Sequence, residues 1–164
     1  MTLRVDEKAK YYQKFRVSGN EVEKLHGPTY QLFNHNPIPK EEKVFFDIRI
    51  VQIKNYNIVV GVITDKNKDE QFSFKKMNCV CYNGYDGSIC EQDKHKYVTL
   101  KPKENHKIRT VVDLANLKIE WLIIGGELSK IPIGSAAIPA TMVKQPLFPY
   151  FELYWEGNKV KLNN

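Results

Sequence analysis

The chain is poor in arginine. Of its 25 basic residues only Arg4, Arg16, Arg49 and Arg109 carry a guanidinium. Two-pronged recognition of phosphate and guanine depends on that planar fork, which lysine cannot reproduce. The lysines are interleaved with acidic residues, as between Asp65 and Glu70, so the net charge of +6 gathers into no single stripe. Their company of Asn, Ile, Tyr and Phe matches a bias towards AT-rich coding. This composition argues against nucleic acid as the partner.

Other features are missing. No apolar run approaches the ~20 residues of a membrane span, so Trp121 to Ile124 reads as a buried strand and no membrane partner is expected. The opening MTLRVDEKAK lacks the apolar core of a secretory signal. Cysteine occurs only at Cys79, Cys81 and Cys90, an odd, clustered set that suits a reducing compartment better than a disulfide framework. The expectation is an intracellular, cytoplasmic domain.

Catalytic signatures are missing too. His26, His35, His95 and His106 show no HExxH spacing, Ser88 sits in DGSI rather than G-x-S-x-G, and neither GxGxxG nor a P-loop occurs. Asp113 has no second carboxylate in a pairing motif. Cys79, Cys81, Cys90 and His95 are zinc-type donors. However, residues two apart in a strand point to one side, without the knuckle turn that zinc sites use. An enzyme, a metal and a cofactor are therefore not expected.

What the chain does have is β-pattern. Its 164 residues, 42% apolar, suffice for one domain burying about two-thirds of its unfolded surface. VFFDIRIVQI alternates, with Phe46, Ile48 and Ile50 on one face and Phe45, Asp47, Arg49 and Val51 on the other. Ile58 to Thr64 reads as a central strand, in which Gly61 marks a bulge or a close neighbour. Short strands are expected at Val22 to His26, Thr29 to Phe33, Phe72 to Phe74, Asn78 to Tyr82 and Ile89 to Gln92. Lys107 to Leu114 and Lys118 to Ile124 form a hairpin around Ala115-Asn116, followed by a tight turn at Gly125-Gly126. Ile131 to Gln145, bounded by prolines and rich in small residues, reads as an irregular loop. PLFPYFELYWEGNKVKL gives an aromatic strand, a Glu-Gly-Asn turn and a short alternating strand. Residues 3 to 15 are compatible with a short lead-in helix, or with a frayed terminus or first edge strand. Closely spaced strands without helical patterns between them predict an all-β, antiparallel sandwich.

The order of these pieces resembles a SPRY domain of the B30.2/SPRY family over about residues 43 to 162. VFFDIRI, IVVGVIT, YNGYDGSI, VVDLANLKIEWLIIGGEL and PLFPYFELYWEGNKVKL follow one another as the family's motifs do. Two departures stand out. Gly125-Gly126 replaces the usual Asn-Gly, and Thr110-Val111 stands where a glycine commonly precedes the aspartate matched by Asp113. The resemblance implies a bent, concanavalin-like sandwich over residues 21–162, preceded by a lead-in segment at 1–20. It also implies a non-catalytic module that binds a short segment of another protein through loops at one end, as in the substrate-recognition parts of ubiquitin ligases. No RING or B-box cysteine–histidine pattern is present, so ligase chemistry would reside elsewhere. An architectural subunit docking through residues 1 to 20 is the alternative, and a carbohydrate-binding sandwich a third.

Under this mapping the partner-binding candidates begin with Trp155, whose ring supplies contact area at low entropy cost; the alternative is that it packs beside Phe151 and Leu153. Tyr82, Tyr85 and Asp86 come next, on a turn-rich loop. His26, Pro28, Lys68, Asp69, Glu70 and Gln71 complete the rim. Trp121, on a face with Ile119 and Ile123, is expected in the core, and Asp113 is expected to shape its turn.

Overall fold

The structure, a computed structural model, describes residues 1–27, 30–40, 43–65, 78–91, 94–125 and 129–163. These residues form two packed antiparallel sheets. The larger runs β1 (Phe15–Ser18), β2 (Glu21–Lys24), β13 (Lys159–Asn163), β4 (Lys43–Gln52), β9 (Lys107–Asp113), β10 (Lys118–Gly125) and β11 (Ser129–Ala137), in that spatial order. The smaller runs β3 (Tyr30–Phe33), β12 (Leu147–Leu153), β5 (Ile58–Thr64), β6 (Cys79–Asn83), β7 (Ser88–Glu91) and β8 (Lys94–Tyr97). Among the described residues no helix is long and apolar enough to cross a membrane.

Alternation sets the faces. In β4, Val44, Phe46, Ile48 and Ile50 are buried while Phe45, Arg49 and Val51 are exposed. Asp47 points away from the core yet is covered, because Arg109 on the neighbouring strand donates to both its carboxylate oxygens at 2.8 Å. The same guanidinium lies 4.1 Å over the Phe45 ring. β5 is buried along its whole length between β12 and β6. Gly61 within it has a close neighbour: a Cβ there would stand 2.2 Å from the Val80 carbonyl oxygen, so only hydrogen fits. Trp121 fills the core between the sheets and donates its indole N–H to the Val60 carbonyl at 3.1 Å. Asp113 shapes the β9–β10 turn by accepting from the Asn116 backbone and amide nitrogens, each at 3.0 Å.

The structure chooses among the alternatives for the lead-in and corrects one expectation. The lead-in contains no α-helix. Leu3, Val5 and Ala9 are buried, Val5 bridges Asn34, a single 3-10 turn spans Tyr12–Lys14, and Phe15–Ser18 is an edge strand. The spacing of Val5, Ala9 and Tyr12 would suit a helix, but the segment instead bridges Asn34 and buries Leu3, Val5 and Ala9 in the core. The stretch from Ile131 is not an irregular loop in its first half. It belongs to edge strand β11, where the register shifts opposite Trp121–Leu122 beside Pro132. An edge strand with a bulge accommodates a residue that cannot donate to the ladder. The strand expected at Phe72 to Phe74, and Gly126 of the expected Gly-Gly turn, lie outside the described residues.

Candidate functional site

Three connections meet at one end of the sandwich, and each has its own turn chemistry. Between β4 and β5 the Asn57 amide donates to the Lys54 carbonyl at 3.3 Å, with Asn55 at φ 53° and Tyr56 at φ 58°. Two consecutive left-handed residues define a type I′ turn, a conformation that asparagine tolerates and tyrosine resists. Between β6 and β7 the Asn83 side chain accepts from the Tyr85 amide at 3.1 Å. Asp86 Oδ1 accepts from the Ser88 amide at 3.0 Å and its hydroxyl at 2.6 Å. Between β12 and β13 the Asn158 amide donates to the Trp155 carbonyl at 3.0 Å, and Gly157 supplies φ +80°.

Asn158 clasps the first and third of these together. Its side-chain oxygen accepts from the Lys54 amide at 2.9 Å, and its side-chain nitrogen donates to the Asn57 carbonyl at 3.2 Å. The second connection is joined to the first by the Gly84 amide, which donates to the Ile58 carbonyl at 2.8 Å. A Cβ on Gly84 would lie 2.8 Å from the Tyr56 carbonyl oxygen, so the two backbones approach as closely as glycine allows. Gly157 also donates, at 2.9 Å, to the carbonyl of Lys24. That lysine is fully buried, and its ammonium group donates to the carbonyls of His26 and Gly27. Burial, helped by nearby Lys14 and opposed by Glu156, draws its pKa down to about 8.

The connections enclose an open pocket of about 350 Å³. Asn57, Val59 and Asn83 are buried in its floor, while Asn55, Tyr85, Asp86, Tyr154 and Trp155 complete the lining. Tyr85 is 56% exposed and Trp155 45%, and the Tyr154 and Trp155 rings meet at 55° with centroids 6.0 Å apart. A larger opening of about 490 Å³ runs along Thr2–Val5 and Val17–Asn20, where half-buried Tyr12 is the one aromatic ring in the lining.

Three of the residues singled out from sequence, Trp155, Tyr85 and Asp86, therefore line one pocket. Tyr82 does not. It is 0% exposed on the inner face of β6, donates its hydroxyl to the Leu100 carbonyl at 2.6 Å, and has its phenol pKa pushed up by burial and by Asp86. The expectation that Tyr82 contacts a partner is corrected: the strand continues to Asn83, so the loop begins after it. His26 is exposed but does not line the pocket. Pro28, Lys68, Asp69, Glu70 and Gln71 lie outside the described residues. Sequence reasoning missed Asn55, Asn57, Val59, Asn83, Tyr154 and the clasp Asn158. The one local signal among them is Asn55-Tyr56-Asn57, which the sequence marks only as a turn.

The thiols lie elsewhere. Cys79, Cys81 and Cys90 are buried and form no disulfide, and Cys90 Sγ lies 3.3 Å from His95 Nδ1. The Cys90 pKa is drawn down to about 7, first by a hydrogen bond with Cys81, then by Ser88 and by His95, against the opposing effect of burial. Among the described residues no three metal-binding side chains converge.

Comparison with protein-family models finds no match, and comparison with curated protein sequences finds none either. Solved structures do match. The SPRY domain of human HERC1 superposes with a TM-score of 0.74 at 19% identity, covering 98% of each chain. The TRIM65 PSpry domain gives 0.78 at 13% identity over 100% of this chain and 93% of that one. A further human SPRY domain gives 0.71 at 17% identity, covering 92% and 94%. At these identities the likeness is one of fold, and it extends over the whole sandwich, lead-in included: this chain has the fold of a SPRY domain.

Proposed function

We propose that this domain is a non-catalytic protein-interaction module that takes a short, extended segment of a partner protein into the pocket between residues 54–57, 83–87 and 154–158. The observation that carries this reading is the pair of exposed aromatic rings, Tyr85 and Trp155, on loops that are each tied to the β4–β5 connection. Loops already held in place lose little entropy when a ligand arrives, and large rings with few rotatable bonds are the usual anchors of protein contacts. The asparagine amides in the floor and rim add donors and acceptors for a peptide backbone. A role in recognising substrates for a ubiquitin ligase is compatible with this chemistry, with the ligase activity on another segment or chain.

An architectural role resting on residues 1–20 has less to build on, because Leu3, Val5, Ala9 and Phe15 already sit in the domain's own core. The test is selection from a displayed random-peptide library. The wild type is expected to enrich peptides that a Tyr85→Ala/Trp155→Ala double variant of equal melting temperature fails to retain. Retention of the same peptides by both proteins overturns the site.

A further inference from the structure

The smaller sheet carries a row of reactive side chains that the proposed pocket does not use. Register pairs Cys81 with Cys90 across β6 and β7, and Cys90 with His95 across β7 and β8. Residues directly opposite one another point to the same side of a sheet, so the two thiols and the imidazole stand side by side. Ile89 packs towards Gly134 of the other sheet, which turns Cys90 away from the core between the sheets. There Cys90 Sγ lies 3.3 Å from His95 Nδ1 and 3.7 Å from Ser88 Oγ, and it shares a hydrogen bond with Cys81.

Geometry separates this pair from the third thiol. Directly opposed residues of antiparallel strands have Cα atoms about 4.5 or 5.5 Å apart, both inside the ~4.4–6.8 Å that a disulfide spans. Cys81 and Cys90 can therefore be bridged with little movement of the backbone. Cys79 is on the same strand as Cys81, two residues back. Its Cβ stands roughly 6.5 Å from that of Cys81, too far for the ~4 Å that the bond requires. The paired thiols also differ in acidity. Burial, and then hydrogen bonds with Cys79 and Cys90, push the Cys81 thiol up, whereas the bond with Cys81 draws Cys90 down to about 7. The thiolate is the form that reacts, and an imidazole within hydrogen-bonding reach can take its proton. Cys90 is buried, but the strand beside it, β8, is a sheet edge of 4 residues, all exposed. Short edge strands open at lower free energy than the sheet behind them.

We propose that Cys90 and Cys81 are a peroxide-sensitive thiol pair, in which Cys90 is oxidised first and Cys81 then closes a cross-strand disulfide with it. The Cys90 thiolate, its proton passed to His95, attacks one oxygen of hydrogen peroxide. The O–O bond breaks, Cys90 becomes a sulfenic acid, and the departing hydroxide takes the proton from His95 and leaves as water. The Cys81 sulfur next attacks the sulfenic sulfur, and its own proton departs with the hydroxyl as a second water. Two thiols give up two electrons, and one peroxide becomes two waters.

The experiment treats the folded, fully reduced chain with a slight excess of hydrogen peroxide. Free thiols are counted after quenching and unfolding, and links are mapped by non-reducing peptide mass spectrometry. The three thiols are expected to fall to one, with Cys81 joined to Cys90, the mass of two hydrogens lost, and full reversal by dithiothreitol. Cys79→Ser is expected to oxidise as the wild type does. Cys81→Ser is expected to stop at a Cys90 sulfenic acid that dimedone labels, and His95→Gln to slow the reaction severalfold at an unchanged melting temperature. Retention of all three thiols, a link that includes Cys79, or oxidation that proceeds only once urea unfolds the chain overturns the proposal. The wild-type map needs no variant, so a substitution that fails to fold leaves the test decisive.

Discussion

Trp121 and Trp155 show two opposite uses of one side chain. Trp121 is 1% exposed, within the regular alternation of β10, and its N–H crosses to the other sheet. Trp155 is 45% exposed, two residues past the end of β12, in a turn held by Asn158. A strand's alternation commits a ring to the core only as far as the strand extends. Beyond its last residue the turn geometry takes over, and a large apolar ring remains in solvent.

That contrast can be broken by substitution. Trp121→Ala is expected to cost about 3–5 kcal/mol, through the cavity and the loss of the Val60 partner, read as a lowered urea midpoint. A smaller effect is expected from Lys24, whose folded pKa of about 8 lies below its usual 10.5. Between those values the unfolded chain holds a proton that the folded chain has released, so stability rises with pH. The rise is at most roughly 1.4 kcal/mol per pH unit, and Lys24→Met is expected to abolish it in pH-resolved denaturation. Asn158→Ala is expected to cost about 1–3 kcal/mol, because it leaves the Lys54 amide and Asn57 carbonyl without their partner; amide exchange is expected to accelerate at residues 54–58. Tyr56→Asn is expected to stabilise by up to about 1 kcal/mol, since asparagine accepts φ 58° more readily than tyrosine. Last, Trp155→Ala is expected to shift stability by no more than about 0.5 kcal/mol. A loss of several kcal/mol there would make it a core residue after all.

The fold was largely legible from sequence because its strongest signals are local. The alternation of β4, the continuous burial of β5, the Asp113 turn and the crowding at Gly61 are each written within a few neighbouring residues. β11 was not legible, because Pro132 and the run of small residues look like loop chemistry, and only its edge position with a bulge makes them acceptable in a strand. At the site, Tyr85 and Asp86 stood out by composition, whereas Tyr82 misled. All of CVCYN is buried, so β6 carries no alternation to show where strand gives way to loop. Asn158 was invisible for another reason. It sits 104 residues from Lys54, and nothing in its neighbourhood announces so distant a partner.

The strand order carries a consequence in time. β12 lies between β3 and β5, and β13 between β2 and β4, so two late strands complete sheets begun by early ones. Closing such distant pairings is slow, because a long loop of chain must be ordered before its contacts reward it. The turn joining these two strands holds Trp155 and Asn158, so the proposed pocket is complete only once both long-range pairings have formed. A ligand that needs this surface can bind only a finished molecule. Under the proposed function, binding would double as a report that folding is complete.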